Sequence, residues 1–396
     1  MTEWKYARQL RRWNTRTVLS SVAAAFMIAG AVGCGDDDDG GGNGGGSASG
    51  GSEQTVAEAK KIVSDAEKTV EFTFDGESFD SAEASGKTVW FVPVGLEVPV
   101  TQAWLKGLEE ALEVVGAEVK TFDSKGQVAE ANRGIEQAVA ANADLIIING
   151  LPLEALSASI ARAERADIPV VNTVGGKPEI PSDVPGVVAE VTFDFETVGT
   201  WLGAWAVAEN GGEAVKALVV QSSEVMASEH EVRGIVDTIE RLAPGSSVKV
   251  EDVPVAQWQT RLPTLTRTAV QRDPDLGYLI PLYDGMTLSM LPALQAAGAE
   301  DRVKIASFNA TPAVLENVKA GTAMGADAGG PNTWFGWAMA DQALRLMTGN
   351  EPVEDEQVPA RLFTSTNIGE IDIDDESTYY GDIDFKAEYR RIWGVK

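Results

Sequence analysis

The sequence is poor in the residues that carry metal, redox and nucleophilic chemistry. Its 396 residues include one cysteine, Cys34, and one histidine, His230. A lone cysteine cannot build a disulfide framework, and one histidine far from it cannot complete a zinc site. No metal and no cofactor is therefore expected. Bases are also scarce, with 32 Lys and Arg against 60 Asp and Glu, a net charge of −28. So acidic a surface repels nucleic-acid phosphates and anionic lipid headgroups, and no nucleic-acid partner is expected. No phosphate loop of the form G-x-x-x-x-G-K-[ST] occurs, and no G-x-G-x-x-G opens a helix after the first strand. The stretch "PVGLEVPV" stands there instead. A G-x-S-x-G elbow is missing too. The chain is expected not to be an enzyme.

What is present begins at the N-terminus. Residues 1–16 carry Lys5, Arg8, Arg11, Arg12 and Arg16 against Glu3. The stretch "TVLSSVAAAFMIAGAVG" that follows is apolar or small throughout. A basic start, a short apolar run and a small-residue end are the parts of an export signal, and the run is short for a span of about 20 residues. Removing residues 1–33, with five bases and one acid, moves the net charge from −28 to −32. Arg11-Arg12 suits twin-arginine export poorly, given the "WNT" after it. Residues 34–52, with Asp36–Asp39 and a Gly/Ser/Asn run, have too little apolar surface to offset ordering entropy and suit a flexible tether. Residues 53–85 form a charged lead-in, in which Val56, Ala59, Ile62 and Val63 fall at helical spacing.

From residue 87 the pattern is regular. Apolar strands at 87–94, 117–123, 144–150 and 168–173 alternate with amphipathic segments such as "TQAWLKGLEEALEVVG", ended by Gly116. After "GVVAEVTFDFETVG" the alternation resumes. Strands are expected at 215–221, 247–253, 277–282 and 303–308, and helices near 196–209, 228–243, 260–272, 285–298 and 311–320. A helix starts near Pro331, and a last strand lies near "RLFTSTNI". Strands apolar on both faces, alternating with helices, mean parallel sheets covered on both sides. The fold class is α/β, with two doubly wound parallel-sheet lobes. In such sheets ligands bind beyond the carboxyl ends of the strands, so two facing lobes would make a pocket at their junction.

The segments "GKTVWFVPV", "WLKGLEEALEVVGAEVKTFDSKG", "GIEQAVAANADLIIING", "ARAERADIPVVNT", "ALQAAGAEDRVKIASFNATP" and "ALRLMTGNEP" resemble, in order and spacing, the periplasmic substrate-binding proteins of the ribose-binding type (type I), which serve sugar ABC importers. The resemblance spans about Lys87 to Asn350, and "FKAEYRRIWGV" is similar to some family tails. "AVGC" resembles a lipobox, with Ala31 where leucine is usual, and implies lipidation of Cys34. LacI-type regulators share the fold but carry a DNA-binding helix-turn-helix where this chain has its signal and tether.

The resemblance implies a three-stranded hinge near residues 193, 330 and 361. Its N-terminal lobe would be 86–193 with 330–360, and its C-terminal lobe 194–329 with 361–396. It implies a monomeric, exported receptor, lipid-anchored at the outer face of the cell membrane, that closes on a small polar solute. The partners would be an ABC permease and its ATPase subunit. A sugar or polyol is the first expectation. Carried over residue by residue, the pocket would include Glu97, Thr101 and Gln102 after the first strand, Asn172 in "NTVGG", and His230 and Glu231 (or Arg233) in "SEHEVRG". Trp258, Tyr283, Asp284, Asn309 and Asp327 would complete it. Trp258 and Tyr283 would supply ring faces; Trp258 and Trp334 suit lobe packing equally. The sequence departs from the family by lacking the Asp-Arg pair of sugar binders and by having Glu97 and Glu231. Those departures also suit a cationic, amino-bearing or aromatic ligand. Two other readings stand beside this one, a sensory receptor of the same fold and a lipid-anchored hydrolase using cleft carboxylates.

Overall fold

The computed structural model describes residues 49–74, 76–176 and 183–395. The expected signal, Cys34 and most of the expected tether lie outside the described residues. Two sheets carry the structure. The first runs β2 (Glu118–Thr121), β1 (Thr88–Pro93), β3 (Leu145–Asn149), β4 (Val170–Thr173), β5 (Val187–Val191), and all its pairs are parallel. The second runs β11 (Arg361–Thr364), β10 (Met324–Gly329), β9 (Lys304–Phe308), β8 (Tyr278–Pro281), β6 (Lys216–Gln221), β7 (Ser247–Asp252). Only β11 is antiparallel to its neighbour. The central strands follow from composition. Leu145–Asn149 is buried at every position, as a β-branched run covered by helices on both faces must be.

Helices α2 (Pro99–Glu113), α3 (Val128–Ala140) and α4 (Leu153–Arg165) cover the first sheet, joined by α10 (Asn332–Met347), which returns to pack on α2. Helices α5 (Phe195–Glu209), α6 (Ala227–Leu242), α7 (Trp258–Arg272), α8 (Asp284–Ala296) and α9 (Pro312–Lys319) cover the second. The chain passes between the lobes after β5, after β10, and between α10 and β11. Each lobe contains a helix pair drawn together on glycine. A methyl on Gly107 of α2 would lie 2.5 Å from the Thr333 carbonyl oxygen, and one on Gly234 of α6 would lie 2.1 Å from that of Glu196. Neither site has room for a Cβ.

Three elements differ from the sequence expectation. Helix α1 (Ser49–Ala66) begins four residues inside the expected tether, because α1 packs on α5 with its Ala59 and Ala66 buried, and the helix extends outward from that docked part. Strand β5 falls in "GVVAEVTFDFETVG", where the sequence pattern marks only a break between the two series. It is an edge strand with Val188 43% exposed, so it lacks the continuous apolar signature. The third difference concerns 361–396, expected wholly within the second lobe. Strand β11 lies there, but α11 (Phe385–Ile392) packs on α10 of the first. Aromatic chemistry dictates this return. Phe385 stacks on Trp334 (centroids 5.3 Å, 6°) and Trp393 on Trp337 (5.2 Å, 9°). Trp393 Nε1 and Arg345 Nε each donate to the buried Asp341 carboxylate at 2.6 Å. The lead-in crosses both lobes in the same way. Its helix α1 lies on the second lobe, and Phe72 stacks on Trp334 at 5.1 Å on the first.

Candidate functional site

The carboxyl ends of both sheets face a common gap. Val94 follows β1, Asn149 ends β3 and Val174 follows β4. Val98, Val100, Thr101 and Trp104 come from the turn into α2 and its first turns. From the other lobe come Val225 after β6, Val255 and Trp258 after β7, Tyr283 after β8 and Asn309 after β9. Phe195, at the hinge, also lines the gap. The cavity they leave is about 30 Å³, roughly room for one or two waters. The lobes meet at its rim. A methyl on Gly126 would lie 3.4 Å from the Ala256 nitrogen of the opposite lobe, and one on Gly176 would lie 2.3 Å from His230 Cδ2. The lobes are therefore drawn together in this structure.

The polar ends of the aromatic lining are turned inward. Trp258 Nε1 donates to Ser222 Oγ at 2.9 Å and to the Val253 carbonyl at 3.2 Å. The Tyr283 hydroxyl pairs with Ser228 Oγ at 2.8 Å, and Trp104 Nε1 donates to Asn332 Oδ1 at 2.9 Å. Trp258 and Tyr283 stack at 6.1 Å and 28°. Their rings thus offer carbon faces to the gap. Two polar atoms of the lining, Thr101 Oγ1 and Asn149 Oδ1, are buried with no protein partner. Asn149 Nδ2 is engaged, donating to Thr173 Oγ1 at 2.8 Å. Buried polar atoms without partners are uncommon, and here both belong to the wall of the gap.

Behind the second-lobe wall lies a group of buried carboxyls. Asp284 accepts the Thr311 amide at 2.8 Å and the Thr311 hydroxyl. The Ser307 hydroxyl lies 2.8 Å from Asp284 Oδ1 and 3.3 Å from Asp327 Oδ1. Burial pushes the Asp284 carboxyl up to about 6, restrained by the Thr311 and Ser307 hydrogen bonds. Burial and the neighbouring Asp284 charge push Asp327 well above the usual range, so Asp327 holds a proton while Asp284 is ionised near neutral pH. Burial, with Asp284 nearby, does the same to Glu231, whose two oxygens have no hydrogen-bond partner.

Of the residues expected at the site, Thr101, Trp258, Tyr283 and Asn309 line the gap. Asn309 adopts φ 149°, and its Oδ1 accepts the Asp284 amide at 3.3 Å. Asp284, Asp327 and Glu231 are buried behind the wall. Asn172 is buried within the first lobe, where its Nδ2 donates to Glu190 Oε1 at 3.2 Å. His230 stands at the rim beside Gly176. Glu97 and Gln102 do not reach the gap. Both are exposed, and Gln102 Nε2 turns back to donate to the Leu96 carbonyl at 2.6 Å. Here the turn into α2 and its first turn point Val98, Val100 and Thr101 inward and leave Glu97 and Gln102 to solvent. Asn149 and the valine walls were not foreseen. The signal for Asn149 was legible in "LIIING", where one amide closes a fully apolar strand at its carboxyl end.

Residues 89–351, well over half the chain, match the model of a periplasmic binding protein domain. The chain belongs to the periplasmic binding protein family. Solved structures agree on the fold of this binding protein. An ABC sugar transporter subunit from Rhodobacter sphaeroides is 20% identical with a TM-score of 0.64, over 72% of this chain and 99% of that one. A myo-inositol binding protein from Caulobacter is 21% identical with a TM-score of 0.63, over 72% and 96%. An ABC transporter solute-binding protein from Agrobacterium vitis, solved with allitol, is 19% identical with a TM-score of 0.64, over 72% and 98%. A search of curated protein sequences returns no match.

Proposed function

We propose that this binding protein captures a small solute between its two lobes and delivers it unchanged to the permease of an ABC importer. The observation that carries the reading is the gap itself. Thr101 Oγ1 and Asn149 Oδ1 of one lobe stand buried and unpartnered, and the Trp258–Tyr283 ring pair of the other lobe shares the same cavity. A solute there touches both lobes only when they close, so it shifts the open–closed equilibrium by its differential affinity. The relatives support a sugar or polyol as the first class to test, since they include a sugar transporter subunit, a myo-inositol binding protein and a solute-binding protein solved with allitol. No Asp, Glu, Lys, Arg or His side chain lines the gap among the described residues, which weighs against a cationic solute. It weighs equally against a carboxylate hydrolase, because Asp284 is committed to Thr311 and Ser307 and Glu97 is exposed.

The reading includes export, lipid attachment through Cys34 and action as a monomer, with an ATPase subunit driving the partner permease. Among the described residues no helix is long and apolar enough to cross a membrane. The basic-apolar-small order of residues 1–33 and the "AVGC" stretch support export and a lipid anchor. The test is small-angle scattering with and without a panel of sugars, polyols and small neutral ring compounds, followed by recovery of the bound compound. Compaction with an unchanged guest is expected. A guest recovered as product, or binding with no compaction, overturns the reading.

A further inference from the structure

We propose that the solute is an uncharged, ring-sized compound with mostly carbon surface and only one or two hydroxyls, rather than a sugar or polyol hydroxylated at every carbon. The inference rests on the solute-capture reading and names the class of its guest. It follows from how little hydrogen bonding the closed gap offers. Val94, Val98, Val100 and Val174 of one lobe face Val225 and Val255 of the other. Each ring that could have supplied a donor has spent it inside its own lobe: Trp258 on Ser222, Tyr283 on Ser228, Trp104 on Asn332.

What remains for a guest is Thr101 Oγ1 and Asn149 Oδ1 of one lobe, both buried and unpartnered, and Asn309 Nδ2 of the other, which donates to no protein group while its Oδ1 accepts from the Asp284 amide. One or two guest hydroxyls can satisfy these three groups, since a hydroxyl both donates and accepts, while the rest of the molecule lies against valine and ring faces. A guest such as a hexitol or an inositol carries a hydroxyl on each carbon, and most would be pressed against methyl groups. A hydrophobic pocket discriminates by roughly 10²-fold against a guest that merely adds one hydroxyl, so several unmet hydroxyls cannot be offset by the rings. The tightness of the closed gap also favours a compact guest, since the lobes must stand further apart for each added group. Asp284, the ionised member of the carboxyl group, is saturated with hydrogen bonds from Thr311 and Ser307 and gives a polyol no further acceptor.

A matched series tests this with the full chain. Cyclohexanol, trans-1,2-cyclohexanediol and myo-inositol share one ring and differ in hydroxyl count. Binding is measured by calorimetry, and closure by scattering. Cyclohexanol is expected to bind at least about 100-fold more tightly than myo-inositol, with compaction. Thr101→Val, close to isosteric, is expected to weaken cyclohexanol about tenfold by removing a hydrogen-bond partner. The pair Val98→Thr with Val255→Thr, which adds hydroxyls at little change in volume, is expected to narrow the gap between cyclohexanol and myo-inositol from both sides. Myo-inositol binding as tightly as cyclohexanol, with compaction, overturns the assignment of class and leaves solute capture standing. Binding of neither, with no compaction, overturns both. Cyclohexanol binding unchanged in Thr101→Val overturns the geometry argued for the gap.

Discussion

Asp284 and Asp327 show how burial and neighbouring charge divide two identical side chains into different states. Both are inaccessible, yet Asp284 has Thr311 and Ser307 to stabilise its charge, while the Ala310 amide and the long approach of Ser307 do less for Asp327 against burial and the Asp284 charge. A buried acid whose carboxyl is raised on folding costs nothing while protonated in both states. It costs stability once the unfolded chain ionises and the folded one does not follow. For Asp284, raised from 3.8 to about 6, stability falls as pH rises through that interval and then levels. The interval amounts to a cost on the order of 2–3 kcal/mol. Glu231 and Asp327 are raised for the same cause and act in the same direction. Asp65 opposes them only at lower pH, because its exposed pairs with Lys61 and Lys68 hold it at about 2. The midpoint of thermal unfolding is therefore expected to be higher near pH 5 than near pH 7.5. Asp327→Asn removes one titrating group and should flatten the slope above pH 6. A scanning calorimetry series in which the wild type gains stability from pH 5 to 7.5 would contradict the assignment of these buried states.

Among the elements, two kinds of contact set the architecture, and they differed in legibility. Helices α2, α5, α6 and α8 fall within about two residues of their expected spans, because apolar spacing at 3.6 residues encodes both the helix and its inner face. The glycine contacts between helices were not legible. Nothing local distinguishes Gly107 or Gly234 from a surface glycine, and their role exists only once a partner helix lies across them. Gly234→Ala should force α6 away from α5 and cost about 1–3 kcal/mol, the usual range for overpacking, read as a lowered denaturant midpoint with unchanged slope. The lead-in and tail were hidden for a related reason. Their docking depends on Phe72, Trp334 and the Phe385 and Tyr389 of α11 meeting from three distant stretches of sequence. Phe72 stacks on Trp334 and lies edge-on to Tyr389 at 5.7 Å, so Phe72→Ala should cost about 2–3 kcal/mol, somewhat less than a fully buried phenylalanine. Its signature would be faster amide exchange in residues 67–81 with the β3 and β8 amides unchanged. Equal loss of protection everywhere would mean that the lead-in is part of the global cooperative unit.

At the scale of the whole molecule, the two-lobed α/β plan was legible because the alternation of strand and helix repeats through some 260 residues, the length that the family match spans. The gap was legible only in part. Sequence position located the loops at the carboxyl ends of the strands, but not which side chains each loop turns inward. Val98 and Thr101 enter while Glu97 and Gln102 leave, a choice made by the first turn of α2 and by the facing lobe. Closure itself is a property of the pair of lobes and can be perturbed without touching the site. Gly126 sits at φ 67°, with the backbone and side chain of Ala256 across the rim. A leucine there must hold the lobes apart, at a local strain of about 1–2 kcal/mol for the left-handed backbone. Gly126 lies at the rim and is only half-buried, so Gly126→Leu should remain folded. The closed form is what the substitution raises in energy, so solute affinity should fall by one to two orders of magnitude with little change in association rate. The radius of gyration of the solute-free protein should rise. Affinity preserved in a variant that scatters as the wild type would show that the rim tolerates the side chain and that closure is not governed at Gly126.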